Sequence, residues 1–138
     1  MTDVHDFTTR SYNMSRIGAK DTKPELMVRK FLHAKGFRYR LNDKKLPGKP
    51  DIVLPKLHTV IFIHGCFWHG HENCRFFVIP KTRTDWWMDK IGQTKQRDAL
   101  TQNELLQKGW KINVVWECQL KSGKATETLS QLISELLS

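Results

Sequence analysis

The sequence predicts a single α/β domain with a central mixed β-sheet flanked by helices. Three observations lead there. Segments follow one another as helix, three strands, helix, strand, helix, with no internal repeat, low-complexity tract or linker. The 138 residues, 39% hydrophobic and 27% charged, suit one domain with its own core. The most apolar strand, His58 to His64 (HTVIFIH), runs directly into HGCFWHGHENC, a stretch dense in metal-competent side chains.

Residues 1–20 are polar, with Met14 and Ile17 spaced for one face of a short helix and Arg10, Arg16 and Lys20 around them. Taken alone they read as a frayed terminus. The first helix starts at Asp21-Thr22-Lys23-Pro24-Glu25, where Thr22 or Lys23 precedes a first-turn proline and Glu25 suits the positive helix end. It runs to about Lys35, with Leu26, Met27, Phe31 and Leu32 as its apolar members and Gly36 as its stop. Phe37 to Leu41 alternates apolar and basic and predicts a strand with one wet face. Leu46-Pro47-Gly48-Lys49-Pro50 is a turn that delivers Asp51 to the mouth of the strand Ile52-Val53-Leu54, which Pro55 ends. Beyond the cysteine-rich stretch, Phe76 to Pro80 is apolar and extended. A long helix from about Asp85 to Lys108, capped by Thr84 and closed by Gly109, carries Trp86-Trp87, Lys90, Lys95, Arg97 and Asp98. Trp110 to Trp116 is the last strand, leading into Glu117-Cys118. Leu129, Leu132, Ile133 and Leu136 mark an amphipathic C-terminal helix.

Lys and Arg number 23 against 14 Asp and Glu, a formal net charge of +9, which points to a polyanionic partner, most often nucleic acid. No apolar run is long enough to span a membrane, and MTDVHDFTTR has no apolar signal region. A cytoplasmic protein with reduced thiols is the expectation. Three cysteines argue against a disulfide framework. Cys66, His71 and Cys74 sit close enough in sequence to share one ion, and Cys118 would complete a tetrahedral set of the kind that holds structural zinc. Buried free thiols are the plain alternative. His64 and His69 are left over beside the cluster, as a reaction centre requires.

Asp51 lies at the start of one strand, next to another that ends in His64. A carboxylate there can hold magnesium, which keeps most of its waters and takes phosphate oxygens as further ligands. Proline, aspartate and then an apolar strand resemble the restriction-endonuclease-like nucleases. Those follow with an acidic-x-Lys element, whereas this chain has Phe62-Ile63-His64, so histidine must take over the missing work. Imidazole accepts protons near neutral pH, and Asp98 is a candidate to fix its tautomer. By position alone, Asp98 reads equally as a surface helix charge, and Glu25 as no more than a first-turn charge.

The residues Thr9-Arg10-Ser11-x-Asn13-Met14, Glu25, Leu46-Pro47-Gly48-x-Pro50-Asp51, Val60 to His69 (VIFIHGCFWH), Thr82-Arg83-Thr84, Trp87, Lys90-Ile91-Gly92, Arg97-Asp98 and Gly109-Trp110 through Val115-Trp116-Glu117-Cys118 cover nearly the whole chain in order. In them the chain resembles the very short patch repair endonucleases, bacterial enzymes that start repair at T:G mismatches. The resemblance implies a magnesium-dependent endonuclease on a restriction-endonuclease-like fold. It would nick one strand 5′ of the T in T:G mismatches left by deamination of 5-methylcytosine, leaving a 5′-phosphate. It implies structural zinc on Cys66, His71, Cys74 and Cys118, and magnesium on Asp51 and the Ile63 carbonyl. It also implies His69 as general base with Asp98 as its orienter, His64 on the phosphate, and Glu25 as a supporting acid. Phe67, Trp68 and Trp87 would enter the DNA beside the mismatch, where opening a mispaired step costs less and base–aromatic stacking returns about 1–3 kcal/mol per base. Met14 on residues 1–20 would brace the minor groove, and Lys90 would contact DNA. The further expectations are a monomer associated with the nucleoid, with mismatch-repair proteins as partners. The chain departs from the family's pattern in the Glu72-Asn73 gap, expected to be shorter, and at Gly70, where a further histidine is expected. The competing readings are a restriction-type or mobile-element nuclease without mismatch selection, and a zinc-stabilised DNA-binding module without catalysis.

Overall fold

The computed structural model describes residues 22–121 and 123–138, so the N-terminal arm and Met14 lie outside the described residues. Helix α1 (Lys23–Ala34) is followed by strands β1 (Arg40–Leu41), β2 (Ile52–Leu54) and β3 (Thr59–His64), then the long helix α2 (Thr84–Gln107), strand β4 (Lys111–Trp116) and helix α3 (Ala125–Leu137). The sheet order is β1-β2-β3-β4. The first two pairings are antiparallel, and β3 with β4 is parallel, across the α2 crossover. This is the mixed sheet that the element order predicts.

Strand alternation sorts the sequence into two core layers. Ile52, Leu54, Ile61 and Val115 face α1 and α3, against Val28, Leu32, Leu129, Leu132 and Leu136. Val53, Val60 and Phe62 face the other way, onto Leu105 of α2, with Ile112 and Val114 packed beside them. His64 and Trp116 continue the even-numbered rows of β3 and β4 and are register partners. The strand period therefore carries both rings toward the layer that holds α2.

Several expectations need correction. The inward seam of α1 is Val28 and Leu32, with Met27 and Phe31 partly buried, whereas Leu26 is 41% exposed. The strand expected over Phe37 to Leu41 shrinks to Arg40–Leu41, because its partner β2 is only three residues long and ends at Pro55. Thr22 caps α1 in a reciprocal capping box with Glu25. Thr84 does not cap α2. It is the first helical residue, and its hydroxyl donates back to the carbonyls of Pro80 and Lys81.

The turn before Asp51 is braced by α2. Gly48 has φ +75°, and a Cβ at this position would run into the methyl group of Thr101. Gly48→Ala is therefore expected to cost about 1–3 kcal/mol from backbone strain and overpacking together, read as a lower urea midpoint at unchanged slope.

Candidate functional site

The ends of β3 and β4, the start of β2 and the middle of α2 meet at one end of the sheet. Asp51 reaches across to β3, where its Oδ2 accepts the Ile63 N–H at 2.7 Å. The Asp51 pKa is raised to about 7 in all, with burial the largest cause. The Ile63 amide and the nearby His69 pull it down, while the Glu25 carboxylate pushes it further up. Glu25 is itself only 3% exposed. Its Oε2 accepts from the Thr22 amide and hydroxyl, and its Oε1 from Arg29. The reading of Glu25 as a mere first-turn charge gives way: it links the cap of α1 to Asp51. Two hard carboxylates crowded out of water are a donor set that fits an oxygen-loving divalent cation.

His64 and His69 lie ring on ring, centroids 3.8 Å apart and planes 1° from parallel. Asp98, projecting from α2, places Oδ2 2.6 Å from His69 Nδ1. The reading of Asp98 as a plain surface charge also gives way. A carboxylate can only accept, so it holds the proton on Nδ1 and leaves Nε2 as the basic nitrogen. His64 is 5% exposed, and its Nδ1 finds no partner among the described residues. Burial first and then the neighbouring His69, against an upward pull from Asp98, bring its pKa down to about 4, so it is neutral at physiological pH.

Cys66, His71, Cys74 and Cys118 form the second cluster, with one ligand atom from each lying within 4.8 Å of all the others. Three sulfurs and one imidazole nitrogen in that space fit a tetrahedral soft-metal site. Burial pushes the Cys66 thiol up to about 12, so a cation sharing the cage is what would ionise it. The longer gap before Cys74 is absorbed by Asn73, which turns through φ +57°. Gly70, where a histidine was expected, has φ +60° and lies against Lys95 and Ile91 of α2, leaving no space for a side chain.

Above the cage, Phe67 meets Trp68 and Trp87 edge-on at 5.3 Å each, and Trp68 lies 5.7 Å from Trp87. Trp68 is 48% exposed, so the three rings form an outward aromatic wedge rather than core. Lys90 is exposed on α2, almost one turn beyond Trp87. The sequence reading missed three features. Arg83 stacks over Trp86 at 4.8 Å beside the wedge. Lys95 pairs with Glu72 at 3.3 Å at the rim of a groove of about 510 Å³ that contains His69 and Asp98. The Glu117 carboxylate accepts the Cys66 N–H at 3.2 Å. The only sequence signal for Glu117 was its place beside Cys118. Among the described residues, no helix is long and apolar enough to cross a membrane.

A family model described as DNA mismatch endonuclease Vsr matches residues 2–75. The type II nicking enzyme V.NmeAIP of Neisseria meningitidis serogroup A is 51% identical over 137 residues, covering 99% of this chain and 97% of that protein. V.XorIIP of Xanthomonas oryzae, also a type II nicking enzyme, is 46% identical over 92% of this chain and 93% of its own length. The DNA mismatch endonuclease Vsr of Escherichia coli K12 is 42% identical over 98% of this chain and 87% of its own length.

Proposed function

This chain belongs to the DNA mismatch endonuclease Vsr family and is a DNA endonuclease, and from that premise we propose that it nicks one strand of duplex DNA 5′ of the T in T:G mismatches. Such mismatches arise when 5-methylcytosine is deaminated, and the nick would initiate very short patch repair. The observation that carries the reading is the meeting of Asp51, the stacked His64–His69 pair and Asp98 at one sheet end, beside an exposed aromatic wedge. We read this sheet end as a restriction-endonuclease-like site in which histidine replaces the usual acid and lysine.

Magnesium, bound by Asp51 with the Ile63 carbonyl, would supply positive charge to the phosphate and its leaving oxygen. The chain's own groups do the rest. His69 Nε2 takes a proton from the attacking water while Asp98 holds Nδ1 and stabilises the imidazolium that results. Neutral His64 donates a hydrogen bond to a non-bridging phosphate oxygen. The water oxygen bonds to phosphorus, the P–O3′ bond breaks, the departing O3′ takes a proton from solvent water, and the products are a 5′-phosphate and a 3′-hydroxyl. Glu25 keeps Asp51 in place through the capped start of α1. Phe67, Trp68 and Trp87 enter the stack beside the mismatch, and a weakly stacked wobble pair is the cheaper one to open. Lys90, with Met14 on the N-terminal arm, adds DNA contacts. Cys66, His71, Cys74 and Cys118 hold structural zinc. The protein acts as a cytoplasmic, nucleoid-associated monomer, with mismatch-repair proteins as further partners.

The test is a nicking assay on matched duplexes that differ only in T:G against C:G. Cutting confined to the T:G strand is expected. Equal cutting of both would remove mismatch selection and leave a restriction-type nicking enzyme.

A further inference from the structure

We infer that Trp116 is a positioning residue, whose indole ties the His64–His69 pair to the metal-cage ligand His71. The inference rests on the reading of His69 as the base. The indole stacks on His71 with centroids 4.0 Å apart and planes 7° from parallel. It meets His64 edge-on at 5.1 Å and 78°, and His69 at 6.4 Å and 77°. One ring thus touches three imidazoles, two in the candidate reaction centre and one in the cage.

Trp116 is itself held on both sides. Before it, β4 runs parallel to β3 with His64 as its register partner. After it, Glu117 accepts the Cys66 N–H and Cys118 enters the cage. His64 depends on this ring more than His69 does. His69 is fixed by Asp98 at 2.6 Å, whereas His64 Nδ1 has no hydrogen-bond partner among the described residues. The plane of His64 is therefore set by ring contacts: Phe62 at 5.8 Å, His69 at 3.8 Å and Trp116 at 5.1 Å. Removing the indole takes away the edge-on support of the stacked pair and the face that covers His71. A misplaced ring loses rate rather than affinity, because the wedge of Phe67, Trp68 and Trp87 proposed to grip DNA is separate from it.

The test compares Trp116→Ala and Trp116→Phe in the full-length, zinc-loaded protein. In the alanine variant kcat is expected to fall by about 10–100-fold, as for other residues that orient ligands from behind, with KM for T:G duplex unchanged. The phenylalanine variant still presents a ring to His71 and His64 and recovers most of the rate. Without DNA, the imidazole NMR signals of His64 and His69 shift in the alanine variant while zinc remains equimolar. Wild-type kcat in Trp116→Ala overturns the inference. So do unmoved imidazole signals, or zinc loss from both variants, which would reduce the indole to a fold residue. His69→Ala serves as the control: if it still nicks, the assignment of the base has failed, and the NMR signals alone decide for or against Trp116.

Discussion

Replacing His69 by alanine lowers the single-turnover nicking rate by about 10²–10⁴-fold, the range that a positioned general base supplies, while T:G duplex binding persists. Among the described residues at this sheet end, His69 has the one basic nitrogen whose partner nitrogen is fixed by a carboxylate, at 2.6 Å. His64 cannot substitute. It lies directly against His69, but burial and that neighbour have brought its pKa down to about 4, which makes it a poor acceptor for a water proton. Asp98→Asn is expected to fall part of the way, because an amide can present its NH₂ to Nδ1 and hold the wrong tautomer. The measurement is a quench-flow time course at saturating enzyme, with gel-shift affinity in parallel. Wild-type rates in His69→Ala would end the proposed chemistry. A parallel loss of binding would instead move His69 into DNA recognition.

Removing the proposed structural zinc is expected to unfold the domain. Structural zinc contributes roughly 10–16 kcal/mol of apparent binding free energy in small peptides, as much as the whole stability of a typical domain, about 5–15 kcal/mol. Here the cage fastens the loop after β3 to the short helix after β4 (Glu117–Leu120). Cys118→Ser, or a strong chelator, is expected to abolish the cooperative thermal transition followed by circular dichroism, and added zinc to restore it after chelation. An unchanged melting curve in protein shown by metal analysis to be zinc-free would reject the structural role. Cys66 is the more severe position to replace, since it is fully buried and its amide is held by Glu117.

What the sequence made legible follows from how local each signal is. The cage residues Cys66, His71 and Cys74 are near neighbours, and the apolar strands and the C-terminal leucine repeat carry their own periods. Those readings match the clusters and elements found. Asp98 and Glu25 looked ordinary because each acquires its environment only when a helix docks: α2 brings Asp98 to His69, and α1 brings Glu25 to Asp51. The length of β1 was illegible because its partner decides it, and β2 stops at Pro55. Gly70 could not be distinguished from a tolerant loop residue until Lys95 and Ile91 were seen to press on it. The contacts of Trp116 join positions far apart in the chain, so spacing carried no trace of them.

Cys118 follows β4, whereas its three companions in the cage precede α2. The cage thus closes only after α2 has crossed the sheet and β4 has been laid beside β3. A chain still on the ribosome, or one ended early by a stop codon, lacks the fourth donor. The loop bearing His69 then keeps its contacts with α2 but loses its tie to the end of β4. Truncations that end before Cys118 are therefore expected to lack nicking activity.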